Sequence, residues 1–157
     1  MDVLLELHEK ARRLNARIVL PEAHDERVVQ AAAQLSARGL CRPVLVEARG
    51  MGDVPPGVET VRPSADPRTQ QLAAHLYERR LHKGMTPEKA ATQSLDPLFF
   101  AAGMVALGHA DGAVAGSVAA TADVLRASLQ MIGMQDGIRT VSSSFLMVRG
   151  DEVYSFA

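Results

Sequence analysis

The chain has 157 residues, 47% of them apolar and 22% charged, which suits one globular domain with a substantial core and argues against a disordered chain. Its 17 basic residues stand against 18 acidic ones, a formal charge of −1, so no cationic excess draws it to nucleic acid or to an anionic membrane. Aromatics are only 4% and Trp is absent, so the core must come from Ala, Leu, Val and Met, a composition that favours helices packed closely on a sheet.

The first residues, Asp2 to Asn15, place Val3, Leu4, Leu7, Ala11 and Leu14 on one helical face, with Asp2 as a cap. They lack the charged start and apolar stretch of a signal peptide. Arg17 to Leu20 reads as a strand stopped by Pro21. Asp25-Glu26 opens a second helix, with Val28, Val29, Ala32 and Leu35 as its apolar stripe and Gly39 as its stop. Pro43 to Glu47 reads as a buried strand, Ala48 to Gly57 as a Gly/Pro loop, and Val58 to Arg62 as a third strand. Asp66-Pro67 is expected to open a long helix reaching about Leu81, with the proline at the first helical position. Thr86-Pro87 and Asp96-Pro97 repeat that start.

Asp111 to Gly116 reads as a strand between glycines, Thr121 to Met131 as a helix and Val141 to Val148 as a strand. A tight turn at Arg149-Gly150-Asp151-Glu152 leads into one more apolar strand, Val153 to Phe156. A domain ending on such a strand leaves a sheet edge open, so either the strand pairs inside the fold or, the favoured reading, its partner elements lie beyond Ala157. Strands alternating with helices imply an α/β fold, a mostly parallel sheet between two helical layers. No apolar run approaches the ~20 residues that span a bilayer. The lone Cys41 cannot form an internal disulfide and suits a reducing compartment. A soluble cytoplasmic protein is the expectation.

No metal site is legible, since His8, His24, His75, His82 and His109 are scattered and none falls in a ligand spacing. Cys41 beside Arg42 reads as an ordinary half-buried thiol before a reactive one. No dinucleotide fingerprint or phosphate-binding P-loop is present. Two regions carry more. Arg79, Arg80, His82 and Lys83 gather at a helix C-terminus, where they either complement the helix dipole or clamp a phosphate or carboxylate. Ser117 and Thr121 flank a small-residue loop running from a strand end to a helix N-terminus, with Arg126 about one turn further on. That is where open α/β sheets bind ligands, although Thr121 as a plain N-cap and Arg126 as a surface residue fit equally well.

Taken in order, Leu20-Pro21-Glu22, Asp25 to Val28, His82 to Thr86, Asp111-Gly112, Thr121 to Arg126, Leu129-Gln130 and Val141 to Met147 resemble the phosphate acetyltransferase and butyryltransferase family. The match runs from about residue 17 to the end, and its last two blocks look more like the acetyl branch. The resemblance implies a three-layer αβα sandwich similar to isocitrate and isopropylmalate dehydrogenases, here truncated. Residues 1–148 would form the incomplete first domain, and 149–157 would begin the connection to a second. It implies reversible acetyl transfer between acetyl-coenzyme A and inorganic phosphate, with the coenzyme A thiolate attacking acetyl phosphate. Coenzyme A is then a substrate, and no cofactor is implied.

Arg80 matches a family arginine that contacts coenzyme A phosphate. Arg126 matches an active-site arginine and is the expected catalytic residue; Lys83, Ser117, Thr121 and Asp123 are the further expected substrate-binding residues. The two guanidinium groups are expected to share a cleft. Ala115, Ala119-Ala120 and Ala127 depart from the family, which usually carries Ser, then His-Ser or His-Thr, then Pro. The family's Ser-Arg pair and catalytic Asp belong to a C-terminal half. The implied fragment is therefore inactive alone, its partner a C-terminal half or further copies of itself. A non-catalytic module sensing acyl phosphate or coenzyme A, or a butyryl-specific enzyme, are the alternatives.

Overall fold

The computed structural model describes residues 3–48, 50–150 and 152–157; the expected cap Asp2 and turn residue Asp151 lie outside them. The order is α1 (Val3–Leu14), β1 (Arg17–Leu20), α2 (Glu26–Ala37), β2 (Arg42–Val46), β3 (Glu59–Val61), α3 (Thr69–Arg80), α4 (Pro87–Gln93), α5 (Pro97–Ala106), β4 (Gly112–Ala113), α6 (Thr121–Met131), β5 (Phe145–Arg149) and β6 (Glu152–Phe156). A single 3-10 turn, Leu81–Lys83, follows α3.

The first four strands form one parallel sheet in the order β3-β2-β1-β4. Alternation along β1 and β2 decides which helices cover which face. Val19 and its register partner Val44 join Val46, Leu72, Leu76, Phe100, Met104 and Met131 in the larger core, under α3, α5 and α6. Leu20 and its partner Leu45 instead meet Ala32, Val28 and Val29 of α2. Helices therefore cover both faces, as a buried parallel sheet requires.

Close helix packing rests on one glycine. A Cβ at Gly103 of α5 would come within 2.5 Å of Met131 Cε and 2.7 Å of Leu72 Cγ and Cδ2. Its absence lets α3 and α6 close over α5. The starts of α4 and α5 follow the expected chemistry: Thr86 accepts from Lys89 N, Asp96 accepts from Leu98 N and Phe99 N, and a proline follows each cap.

Four expectations need correcting. Helix α3 starts at Thr69; the Asp66 carboxylate accepts from Arg68 N and Nε across a turn around Pro67 before the helix begins. The strand after Asp111 is only Gly112–Ala113, so pairing with β1 ends well before Gly116. Residues 141–144 are not strand; β5 begins at Phe145. And the last strand finds its partner inside the chain: β5 and β6 form an antiparallel hairpin with Phe145 opposite Phe156 and Arg149 opposite Glu152.

Candidate functional site

The carboxyl edge of the sheet brings β1 and β4 side by side, so the segment after Leu20 faces the loop after Ala113. Glu22 is 4% exposed, and its carboxylate collects four successive main-chain amides. Gly116 N and Ser117 N donate to Oε2 at 2.6 and 2.9 Å; Val118 N and Ala119 N donate to Oε1 at 2.7 and 2.6 Å. Burial pulls this carboxyl's pKa up, but the four amides outweigh it and hold it below the ordinary value. Gly116 takes φ of +104°, a conformation that glycine allows.

A second carboxylate secures the same loop. Asp25 caps α2 by accepting from Arg27 N and pairs with the Arg27 guanidinium. It also accepts from Ser117 Oγ, while Arg27 Nη2 reaches Ser117 O at 3.2 Å. Bonds to Arg27 and then Ser117 hold Asp25 well below the usual carboxylate range, and the Arg27 guanidinium is pushed up in turn.

Helix α6 starts straight after this loop. Ala120, not Thr121, is its N-cap, and no side chain caps it; Thr121 is the first helical residue. The loop bends onto Glu22 through backbone bonds, which leaves the extended cap position to Ala120. Arg126 Nη1 donates to Asp123 Oδ1 at 2.5 Å across an exposed i,i+3 pair. Thr121 is exposed.

The second feature lies at the other end of α6. A cavity of about 600 Å³ is lined by Arg80, Lys83, Gly84, Met85, Glu88, Lys89, Thr92, Gln93 and Gln130. Three cations and one carboxylate make its wall net positive. Arg80 Nε is buried with no hydrogen-bond partner, a costly condition for a charged donor. Gly84, in the left-handed region at φ +77°, ends the 3-10 turn and folds Lys83 back beside Arg80.

Helix α3 ties these features together. His75 Nε2 donates to Met131 O at 2.8 Å, and Arg79 Nε donates to Gln130 O at 3.0 Å, so α3 closes the C-terminal carbonyls of α6. Gln130 lies one helical turn, about 6 Å, beyond Arg126 on the same face.

Of the expected residues, Arg80 and Lys83 therefore line one cavity. Ser117, Thr121, Asp123 and Arg126 lie along the loop and first turns of α6. The expected shared cleft is not found: Arg126 does not line the Arg80 cavity, and its guanidinium turns back to Asp123. The loop amides are not open to a ligand, because Glu22 holds all four. Ser117 is likewise engaged through its amide, hydroxyl and carbonyl. Cys41 is half-buried, and burial pushes its thiol pKa up, since Arg42 turns its Nε to Asn15 O instead.

Sequence reasoning missed Glu22 as a structural centre, and Lys89 and Gln130 as cavity residues. An acidic residue just past a strand end is a weak signal until strand order brings a glycine loop opposite it. Among the described residues no cluster of His, Cys, Asp and Glu could hold a metal ion, and no helix is long and apolar enough to cross a membrane.

Comparison with known proteins agrees with this architecture. Residues 2–157 match the family model for phosphate acetyl/butaryl transferase. A phosphate acetyltransferase of Paracoccus denitrificans is 45% identical over 148 residues, covering 94% of this chain and 45% of that protein. The EutD phosphotransacetylase from Staphylococcus aureus superposes with a TM-score of 0.86 at 32% identity, over 99% of this chain and 49% of that one. A phosphotransacetylase from Streptococcus pyogenes gives 0.87 at 33% identity, over 100% and 51%. The chain spans about half the length of these relatives. With a family match along almost its whole length and the same α/β architecture in solved relatives, the chain belongs to the phosphate acetyl/butaryl transferase family.

Proposed function

We propose that this chain supplies the N-terminal half of a phosphate acetyltransferase, which moves an acetyl group reversibly between coenzyme A and inorganic phosphate. The reaction joins the thiolate sulfur to the acetyl carbon and breaks the carbon–oxygen bond to phosphate, which leaves with the electron pair. It needs cations on the phosphate and on the developing oxyanion, and a base for the thiol. In this reading Arg126 holds the phosphoryl oxygens at the α6 N-terminus, helped by Thr121 and by release of its pairing with Asp123. Arg80 and Lys83 hold a phosphate of coenzyme A in the cavity beside Gln130. Ser117 acts by shaping the loop. The base belongs to the C-terminal half that the resemblance implies.

The observation that carries the reading is Arg80: it lines a cationic cavity of about 600 Å³, and its guanidinium Nε is buried with no partner. Such a group is best explained by an anionic ligand that completes it. The test joins this chain to the C-terminal half of the Paracoccus denitrificans relative and follows acetyl-coenzyme A formation from acetyl phosphate and coenzyme A. The joined protein should be active, the 157-residue chain inactive, and Arg126→Ala should remove at least about 100-fold of the joined activity. Full activity in a folded Arg126→Ala protein overturns the assignment. Coenzyme A binding by a joined protein that never turns over would favour the sensing module instead.

A further inference from the structure

The resemblance gives Glu22 no role, yet no other carboxylate among the described residues gathers four main-chain amides. The loop it holds has little else to fix it. Gly116, Ser117 and Val118 are exposed, and Val118 keeps 58% of its surface in water. Burial of apolar side chains therefore does not define the path from β4 to α6. Four charge-assisted bonds do, with Asp25 and Arg27 adding the Ser117 contacts.

The consequence reaches the helix. Ala120 contributes no side-chain cap, so the start of α6 has no lock of its own. Asp123 N and Val124 N both donate to Ala120 O, which makes the position of Ala120 the origin from which the first turn is laid down. Ala120 directly follows Ala119, the last residue bonded to Glu22. A displaced loop would thus carry Thr121, Asp123 and Arg126 with it, whereas Arg80 and Lys83, set by α3 and the 3-10 turn behind it, would stay.

We propose that Glu22 is a positioning residue: by binding the amides of residues 116–119 it sets the register of the first turn of α6, and so the placement of Thr121, Asp123 and Arg126 for a phosphoryl ligand. This rests on the reading of Arg126 given above. A trans peptide points its carbonyl opposite to the following amide, so the loop turns its amides to Glu22 and its oxygens away. The phosphoryl group must then rely on α6 and Arg126, and depends all the more on their placement.

The test uses the 157-residue chain and two probes, inorganic phosphate and coenzyme A, followed through the backbone amide resonances of residues 116–131 and 80–93. Glu22→Gln keeps the shape of the side chain but replaces one acceptor oxygen by a donor that faces two N–H groups. It should expose the amides of 116–119 to faster hydrogen exchange and weaken phosphate binding about tenfold, the equivalent of one charge-assisted bond. Coenzyme A should bind as before. Glu22→Ala should behave alike and recover when formate fills the space left by the carboxylate.

Unchanged phosphate affinity in folded Glu22→Gln overturns the positioning role, and so does an equal loss for both probes, which would mark a general structural role. If Glu22→Gln does not fold, Gly116→Ala decides the matter. That position is exposed, and an added Cβ would meet only Val124 Cγ2 at 4.0 Å, but the loop conformation at φ +104° is strained for alanine. Weaker phosphate binding with unchanged coenzyme A binding supports the proposal; unchanged binding of both overturns it. Failure of the reading beneath it looks different: phosphate binding by the unaltered chain that Arg126→Ala leaves intact overturns both together.

Discussion

Arg79 Nε donates to the main-chain oxygen of Gln130 at 3.0 Å, so the helix that ends in Arg80 also closes the helix that carries Arg126. Two cationic positions 46 residues apart in sequence (Arg80 and Arg126) are thereby held in one frame without touching. A built Cβ on Gly133 would lie 2.2 Å from Arg79 Nη2, so the turn after α6 is shaped to admit that guanidinium.

Arg79→Ala should therefore cost about 1 kcal/mol of stability, the value of one charged hydrogen bond at a helix C-terminus. Urea unfolding would measure it. The same variant should loosen the Gln130 side of the cavity and weaken coenzyme A binding several-fold, although Arg79 does not line the cavity. A variant as stable as the parent would show that His75 alone secures the end of α6.

Gly103→Ala should destabilise the fold by about 1–3 kcal/mol through overpacking. The new methyl would press on Met131 Cε and on Leu72, both fully buried. The intrinsic helix preference for alanine over glycine, about 1 kcal/mol, acts in the opposite direction and is smaller. Stability equal to or above the parent in urea would mean that α3 and α6 can part without penalty.

Acid should release the loop before it unfolds the sheet. Both Glu22 and Asp25 have folded pKa values depressed below their ordinary ones, so each contributes stability that is present above the unfolded value and lost as pH falls through the folded one. Fast hydrogen exchange at residues 116–119 should appear below the ordinary carboxylate range, near pH 4.5 for an unperturbed Glu. Protection in the core around Val19 and Val44 should persist at that pH. Glu22→Gln should make the protection of the loop, taken relative to intrinsic exchange, much less dependent on pH. A loop that opens only together with the core would contradict this order.

How much of this was legible in the chain depends on the range of the forces. Thr86-Pro87 and Asp96-Pro97 place helix starts because cap and proline act within three residues. Asp66-Pro67 has the same letters and a different outcome: the Asp66 carboxylate bonds Arg68 across a turn, and α3 begins only at Thr69. Strands alternating with helices along the chain implied a parallel sheet covered on both faces. Glu22 could not be read in this way, since its partners lie 94 to 97 positions away and are backbone amides that carry no residue signature. Arg80 and Lys83 were legible as a charge cluster, but whether they served a helix dipole or a cavity turned on Gln130, which only the packing of α6 on α3 brings alongside.

Arg80 offers the sharpest separation of function from stability. Its Nε is buried without a partner, and a buried donor left unsatisfied costs about 1–3 kcal/mol. Arg80→Met keeps much of the length and removes the orphaned donor, so the chain should become more stable by about 1 kcal/mol in urea, since the methionine recovers only part of that cost. Coenzyme A binding should fall by about tenfold or more, because a charge-assisted contact to phosphate is lost. Arg80→Lys should sit between them in binding, as it retains charge without the guanidinium fork. A structural guanidinium would give the reverse pattern, with Arg80→Met less stable and coenzyme A bound as before. That result would leave the cationic cavity without a ligand, and the assignment of Arg80 and Lys83 to a coenzyme A phosphate would fall with it.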